Sequence, residues 1–270
     1  MSSSTETTDP PPSRLRAFLR SRTTWAAGVA SAVVAALLIA WLPGEGRNLV
    51  DRVIAADPVR FLLIDGPYES DVAVEHPIDD PADRAALLTE PDRFPALVAK
   101  YGGGPVGRLD IVIVAEGGRS QTRIVDIRPR VLKTLPLLTG TYFHPVTAGQ
   151  GDVIALHANL DGTDRLLRGT DRKPYFTAKQ ILLNRGEQET LRLSFTAAKA
   201  AYEFELVATI VADGRRYEQV VRRPDGAGFR VTGAARDHRR YPRVYVGGGT
   251  TWRLGGRADK CEIFPRSKGC

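Results

Sequence analysis

Few residues in this chain have the types and spacing that chemistry demands. The densest group of potential ligands is His76 with Asp79, Asp80 and Asp83. An imidazole and three carboxylates could hold a cation or trade a proton, but their spacing matches no calcium loop. Asp80, directly before Pro81, is better suited to capping a helix. Asp161, Gly162 and Asp164 read as a turn, and would bind a cation only with partners from elsewhere. His76, His144, His157 and His238 are widely separated, with no paired-histidine motif. His157 falls on a strand-like run, where a structural histidine is the ordinary reading. There is no Gly-x-Ser-x-Gly elbow, and beyond residue 44 the serines are Ser70, Ser120, Ser194 and Ser267. The Gly102–Gly104 and Gly247–Gly249 runs lack the Lys-Ser/Thr of a phosphate loop. The sequence therefore predicts no catalytic, metal or cofactor-binding residue, and no cofactor.

Two other groups remain. Cys261 and Cys270 are the only cysteines, with eight residues between them. A disulfide would close a small loop at the C-terminus; the alternative is a pair of free or intermolecular thiols. The second group is basic. Residues 214–270 carry 14 basic and 5 acidic groups, net +9, although the whole chain is only +7. Arg215, Arg216, Arg222, Arg223, Arg236, Arg239, Arg240 and Arg243 are interleaved with Tyr217, Tyr241 and Tyr245. Arg236, Arg239, Arg240 and Arg243 form the candidate face for an anionic partner. The plain alternative is a solvated basic surface with aliphatic arginine stems lying over tyrosine rings.

What positions these residues begins with a membrane segment. Trp25–Leu42 is uncharged, with Ser31 its one polar side chain. Eighteen residues at about 1.5 Å each give roughly 27 Å of helix, close to the hydrocarbon thickness of a bilayer. Trp25 and Trp41 sit at its ends, and Pro43-Gly44 stops it. Arg14, Arg16, Arg20 and Arg22 precede it, while Glu45 and Arg47 cancel just after it. The positive-inside rule then places the N-terminus in the cytoplasm and residues 44–270 outside. A cleaved signal peptide shares the basic start, but the apolar run is too long and no small-x-small site directly follows. The partner expected first is therefore the lipid bilayer. An anionic envelope polymer or protein comes next, and nucleic acid is not expected.

The predicted organisation is a disordered basic tail (1–23), a transmembrane helix (24–43) and a juxtamembrane helix or stalk (44–58). A β-sandwich (59–235) with a short helical insertion (66–105) follows, then a basic extension (236–270). Strand-like runs cover 59–65, 108–116, 122–132, 151–160, 189–196, 201–212 and 229–233, with 241–247 as an additional edge strand. The 122–132 run is expected to pair with 108–116 across a GGRSQ turn, and Asp213-Gly214 to make a tight hairpin turn.

The stretch ILLNRGEQETLRLSFTAAKAAYEFELVATI resembles the later strands of bacterial immunoglobulin-like domains. The likeness spans residues 180–212 and concerns fold alone. It implies an antiparallel two-sheet sandwich with Tyr202 at a tyrosine corner, its hydroxyl bonding a backbone group a few residues upstream. The expected fold is thus mainly β, an Ig-like antiparallel β-sandwich ectodomain behind one transmembrane helix. The expected function is extracytoplasmic binding or scaffolding without catalysis. The alternatives are an envelope enzyme whose site forms near the 66–105 insertion, and a sensor ectodomain.

Overall fold

A computed structural model describes residues 57–63, 70–145, 154–248 and 251–270. The expected tail, transmembrane helix and all but the last two residues of the stalk lie outside them. Among the described residues no helix is long and apolar enough to cross a membrane. In chain order come β1 (Val59–Leu63), β2 (Val72–Ala73), α1 (Pro81–Thr89), α2 (Phe94–Lys100), β3 (Gly104–Pro105), β4 (Arg108–Gly117) and β5 (Thr122–Leu135). There follow β6 (Thr141–Pro145), β7 (Ile154–Asn159), β8 (Ile181–Leu183), β9 (Gln188–Thr196), β10 (Ala201–Ala212) and β11 (Arg215–Val221). The chain finishes with β12 (Phe229–Thr232), β13 (Arg243–Gly248), β14 (Thr251–Leu254) and α3 (Arg257–Ile263).

The protein is mainly β. One sheet has the order β1-β4-β9-β7, and a second has β11-β10-β5-β8 with β12 also paired to β10. Their shared core follows from period-two alternation, which puts every second side chain on the same face. Leu109, Ile111, Ile113 and Ala115 of β4 and Leu191, Leu193 and Phe195 of β9 are buried with Phe204, Leu206, Ala208 and Ile210 of β10. Phe195 and Phe204 meet with ring centroids 4.8 Å apart. Strand β5 breaks the alternation, burying both Ile124 and Ile127. Its register against β10 slips twice, leaving Val125 and Leu132 as extra residues. Each such bulge flips the side-chain order and bends the strand.

Strands β4 and β5 do not form the expected hairpin. Strand β4 pairs with β1 and β9, whereas β5 pairs with β10 and β8 in the other sheet. The GGRSQ link is a crossing between sheets. Gly117 and Gly118 lie so close to the backbones of Asn184 and Asp57 that a side chain at either would clash. Arg119 is 5% exposed and donates to the Asp213 carboxylate (2.9 Å) and the Tyr217 hydroxyl (2.9 Å), pinning the crossing to the far sheet. The Asp213-Gly214 turn joins β10 to β11, with φ of 51° and 69°, the left-handed geometry of a two-residue hairpin. The sandwich is also not purely antiparallel, since β7 runs parallel to β9. At the seam between sheets, the Gln219 side-chain amide of β11 accepts from the Val59 backbone N–H (3.3 Å) and donates to its carbonyl (2.9 Å).

A third sheet, ordered β14-β13-β6-β2-β3, draws strands from the 66–105 insertion, the middle of the chain and the basic extension. The expected edge strand is internal: β13 lies between β14 and β6, parallel to β6. Helices α1 and α2 supply Leu87, Phe94, Leu97 and Val98 to a cluster with Phe143, Tyr245 and Trp252. Phe264, beside α3, packs with Tyr142, Tyr241 and Val244 in a separate cluster. Asp80 caps α1 as expected, its carboxylate accepting from the Ala82 (2.8 Å) and Asp83 (3.4 Å) amides.

Tyr202 sits at a corner, but its hydroxyl donates to the Asp161 carboxylate (2.8 Å) and not to backbone. Asp161 in turn accepts from the Ala198 (2.7 Å) and Lys199 (3.2 Å) amides, so the corner is closed through a side chain from the β7 end. Burial raises the Asp161 pKa, but the Tyr202 hydroxyl and these two amides outweigh it and leave it below its ordinary value. Stabilisation from Asp161 is therefore present above the ordinary carboxylate pKa of about 3.9 and lost as pH falls through the lower folded value. Tyr202→Phe is expected to cost about 1 kcal/mol, and Asp161→Ala, which orphans three donors, about 2 kcal/mol. Denaturant unfolding at neutral pH checks both, and the Asp161→Ala deficit should shrink near pH 3.

Candidate basic binding surface

The four arginines singled out in the extension are not equivalent. Arg239 donates twice to Asp237 across two residues, and this bonding, with the Ser267 hydroxyl, holds the Asp237 pKa well below normal. Arg243 is bound to the Asp79 carboxylate and the Ile78 carbonyl of the insertion. Arg236 and Arg240 are exposed, with no ion pair among the described residues. The neighbouring tyrosines offer no surface to stack on. Tyr241 and Tyr245 are each 3% exposed, in two different core clusters. Half-buried Tyr217 lies under the Arg119 guanidinium.

A broader basic surface comes from elsewhere in the fold. The outer face of β5, β10 and β11 is built from cross-strand rows centred on β10. In one row Lys133 faces Glu203, in the next Arg130 faces Glu205, then Arg128 faces Val207 and Val220, and finally Arg123 faces Val211 and Arg216. Glu205, 1% exposed as a side chain, is the pivot. It accepts from Arg130 Nε (2.6 Å) and Arg222 Nε (2.6 Å), whose side chains stay 53% and 49% exposed. Burial pushes the Glu205 pKa up, but bonds to Arg222 and Arg130 prevail and hold it below its usual value. One buried carboxylate thus fixes two guanidiniums side by side with their outer edges in water. Arginine presents several donors from a rigid plane, so a held guanidinium still has bonds to offer an anion. Asp126 and Glu218 interrupt the face as acidic positions.

The β5 contribution is absent from a reading that follows composition, because Arg123, Arg128, Arg130 and Lys133 precede the basic tail by about a hundred residues. Their alternation was the available signal, and the bulge at Val125 disguises it.

The ligand-like groups are each spent or dispersed. Asp80 caps α1, Asp79 holds Arg243, and Asp83 accepts from Lys100 (2.6 Å) and Tyr101 (2.6 Å). Those bonds to Lys100 and Tyr101 lower the Asp83 pKa, and the same contact pushes the Tyr101 hydroxyl up to about 12. Asp161 serves the corner, and Asp164 pairs with Arg168 (2.5 Å). His76 is exposed beside Glu75 at 3.9 Å. No group of three potential metal ligands forms among the described residues.

Two histidines have partners that sequence spacing hides. His238 Nδ1 lies 2.6 Å from the Ser267 hydroxyl, which donates to Asp237 (2.7 Å). With its proton directed at a carboxylate, that hydroxyl accepts from the ring, the wrong sense for a serine nucleophile. His144 Nδ1 lies 2.6 Å from Asp71, whose other oxygen accepts from the Tyr142 hydroxyl (2.6 Å). Burial and then the Asp71 charge drive the Tyr142 pKa far up, so it stays a neutral donor.

Cys261 and Cys270 are bonded to one another, with Cα atoms 5.1 Å apart. The loop they close carries Phe264 into the core and Ser267 to His238. No known family model matches this chain, and no curated protein matches it.

Opening so short a loop releases about 2.5 kcal/mol of chain entropy to the unfolded state. Cys261→Ser with Cys270→Ser is expected to lower unfolding stability by about that amount. Equilibrium denaturation with and without reductant measures it, and the double variant should be insensitive to reductant.

Proposed function

We propose that this chain is a single-pass membrane protein whose extracytoplasmic, Ig-like β-sandwich serves as a binding or scaffold module for an anionic envelope partner, either a polymer or an acidic protein surface. The observation that carries the proposal is Glu205 holding Arg130 and Arg222 outward on a rigid sheet face. Immobilised guanidiniums lose less freedom on meeting an anion than arginines on a loose tail, so the face is preorganised for docking. Exposed Arg236 and Arg240 extend the same sign of charge along the chain. Their paired neighbours Arg239 and Arg243 shape that region more than they add to it. The arginine-flanked apolar run Trp25–Leu42 supports the anchor and its orientation. The Cys261–Cys270 disulfide supports an oxidising compartment. In-cell crosslinking of the full chain, followed by identification of what is attached, tests the module. Arg128→Ala with Arg130→Ala and Arg222→Ala should reduce capture of the dominant partner at least about tenfold, the scale set by losing a few charge-assisted contacts. Unchanged capture would remove this face from the reading.

A second reading, an envelope enzyme with a site bordering the 66–105 insertion, draws on one pair. Asp71 orients His144, whose side chain is 39% exposed, and a carboxylate-held imidazole is suited to proton transfer. If this reading holds, His144→Ala abolishes an activity found in a hydrolase screen of the purified chain, while His76→Ala leaves it intact. An activity insensitive to His144 would end the enzymatic reading at that pair.

A further inference from the structure

The end of the sandwich at which the chain enters has its own chemistry. Pro58 is tied there by the Gly118 amide (2.9 Å) and the Thr122 hydroxyl (3.3 Å). Thr122 is in register with Ala212, which is in register with Arg215; one step along, Arg123, Val211 and Arg216 share a row, with Leu182 of β8 beyond Arg123. Arg123, Arg215 and Arg216 are all exposed and none forms an ion pair among the described residues. Leu182 is 67% exposed, the most exposed large apolar side chain in the described residues. Other charges at this end are exposed Arg185, Asp57 and Glu187, together with Arg60, which is paired to Glu116. Asp213 is consumed by Arg119. The balance is positive, and the strand order places Arg123 beside Leu182, with Arg215 and Arg216 two strands beyond Arg123.

We propose that this pole is a lipid-docking surface, with Arg123, Arg215 and Arg216 contacting anionic headgroups and Leu182 entering the interfacial layer. The inference rests on the anchored reading above, and the length of the connection favours it. Between Leu42 and Asp57 the chain spans at most about 50 Å if extended, and about 20 Å if helical. A tether of that length allows Pro58, and with it this end of the sandwich, to reach the bilayer surface. Surface attraction decays within about 10 Å at ordinary salt, so only a pole held so close can exploit it. An acidic protein would satisfy the arginines equally well but gives no reason for an exposed leucine next to Arg123 at the end where Pro58 is tied.

The test uses the full chain in two liposome preparations, phosphatidylcholine alone and phosphatidylcholine with phosphatidylglycerol. Leu182→Cys carries an environment-sensitive fluorophore, and a second preparation carries it at Asp225→Cys, beyond the other end of β11. Alkaline carbonate extraction first establishes whether the chain is integral. The expected result is quenching at position 182 by headgroup-labelled lipid, confined to anionic vesicles and absent at position 225. Replacing Arg123, Arg215 and Arg216 by Ala should weaken it by about fivefold for each arginine removed, and high salt should act in the same direction. An integral chain with equal quenching at both positions, or quenching indifferent to the three arginines, overturns the docking pole and leaves the anchor standing. Arginine-dependent capture of a protein without quenching likewise overturns it. Release of the unmodified chain by carbonate overturns the anchor and the pole together.

Discussion

Everything described hangs on strand β10, twelve residues long and paired along both edges, with β5 on one side and β11 and then β12 on the other. Its even-numbered side chains from Tyr202 to Ile210 face the core, and its odd-numbered ones from Glu203 to Val211 face out. A strand committed on both edges and on one face has only the other face left to vary. That face carries Glu203, Glu205 and Thr209, and it is where arginines of the neighbouring strands are collected. The strict alternation of β10 is affordable only because β5 absorbs the mismatch, with its extra residues at Val125 and Leu132. Without them, a fourteen-residue partner could not keep both Ile124 and Ile127 turned inward.

Charge is managed differently inside and outside this frame. Arg119 and Asp213 are both almost fully buried and face one another, holding a crossing to a turn. Such a pair is worth little against an apolar substitute, but removing one partner alone is costly. Glu205 is the intermediate case, a buried carboxylate answered by two half-exposed cations. The result is a sheet face on which Arg130 and Arg222 are ordered without being neutralised on their outward side.

Local patterning was legible in the sequence. Strands β4, β5, β7, β9, β10, β12 and β13, the Asp80 cap, the Asp213-Gly214 turn and the alternation of Leu191, Leu193 and Phe195 follow from residue type and spacing, whereas the short β6, β8 and β14 were not legible there. Pairing was not. Nothing in the GGRSQ segment distinguishes a hairpin turn from a crossing between sheets, because the constraint at Gly117 and Gly118 comes from Asn184 and Asp57, both more than sixty residues away along the chain. The third sheet was hidden for the same reason: Ala73, Tyr142 and Val244 meet only after some 170 residues of chain have folded back. The site divided along this line. A count of arginines finds Arg236 to Arg243, whereas the Glu205 contacts that order Arg130 and Arg222 exist only once β5, β10 and β11 are side by side; Arg128 is held by Asp126 of its own strand.

The Gln219 amide, which mimics a strand's own donor and acceptor against Val59, has a consequence beyond the seam it closes. Strands β1 and β11 are both sheet edges, and an open edge is a template for the next molecule. Filling one backbone position of β1 with a side chain from β11 interrupts the ladder that a second copy would need. A single glutamine therefore works against polymerisation of the sheets edge to edge.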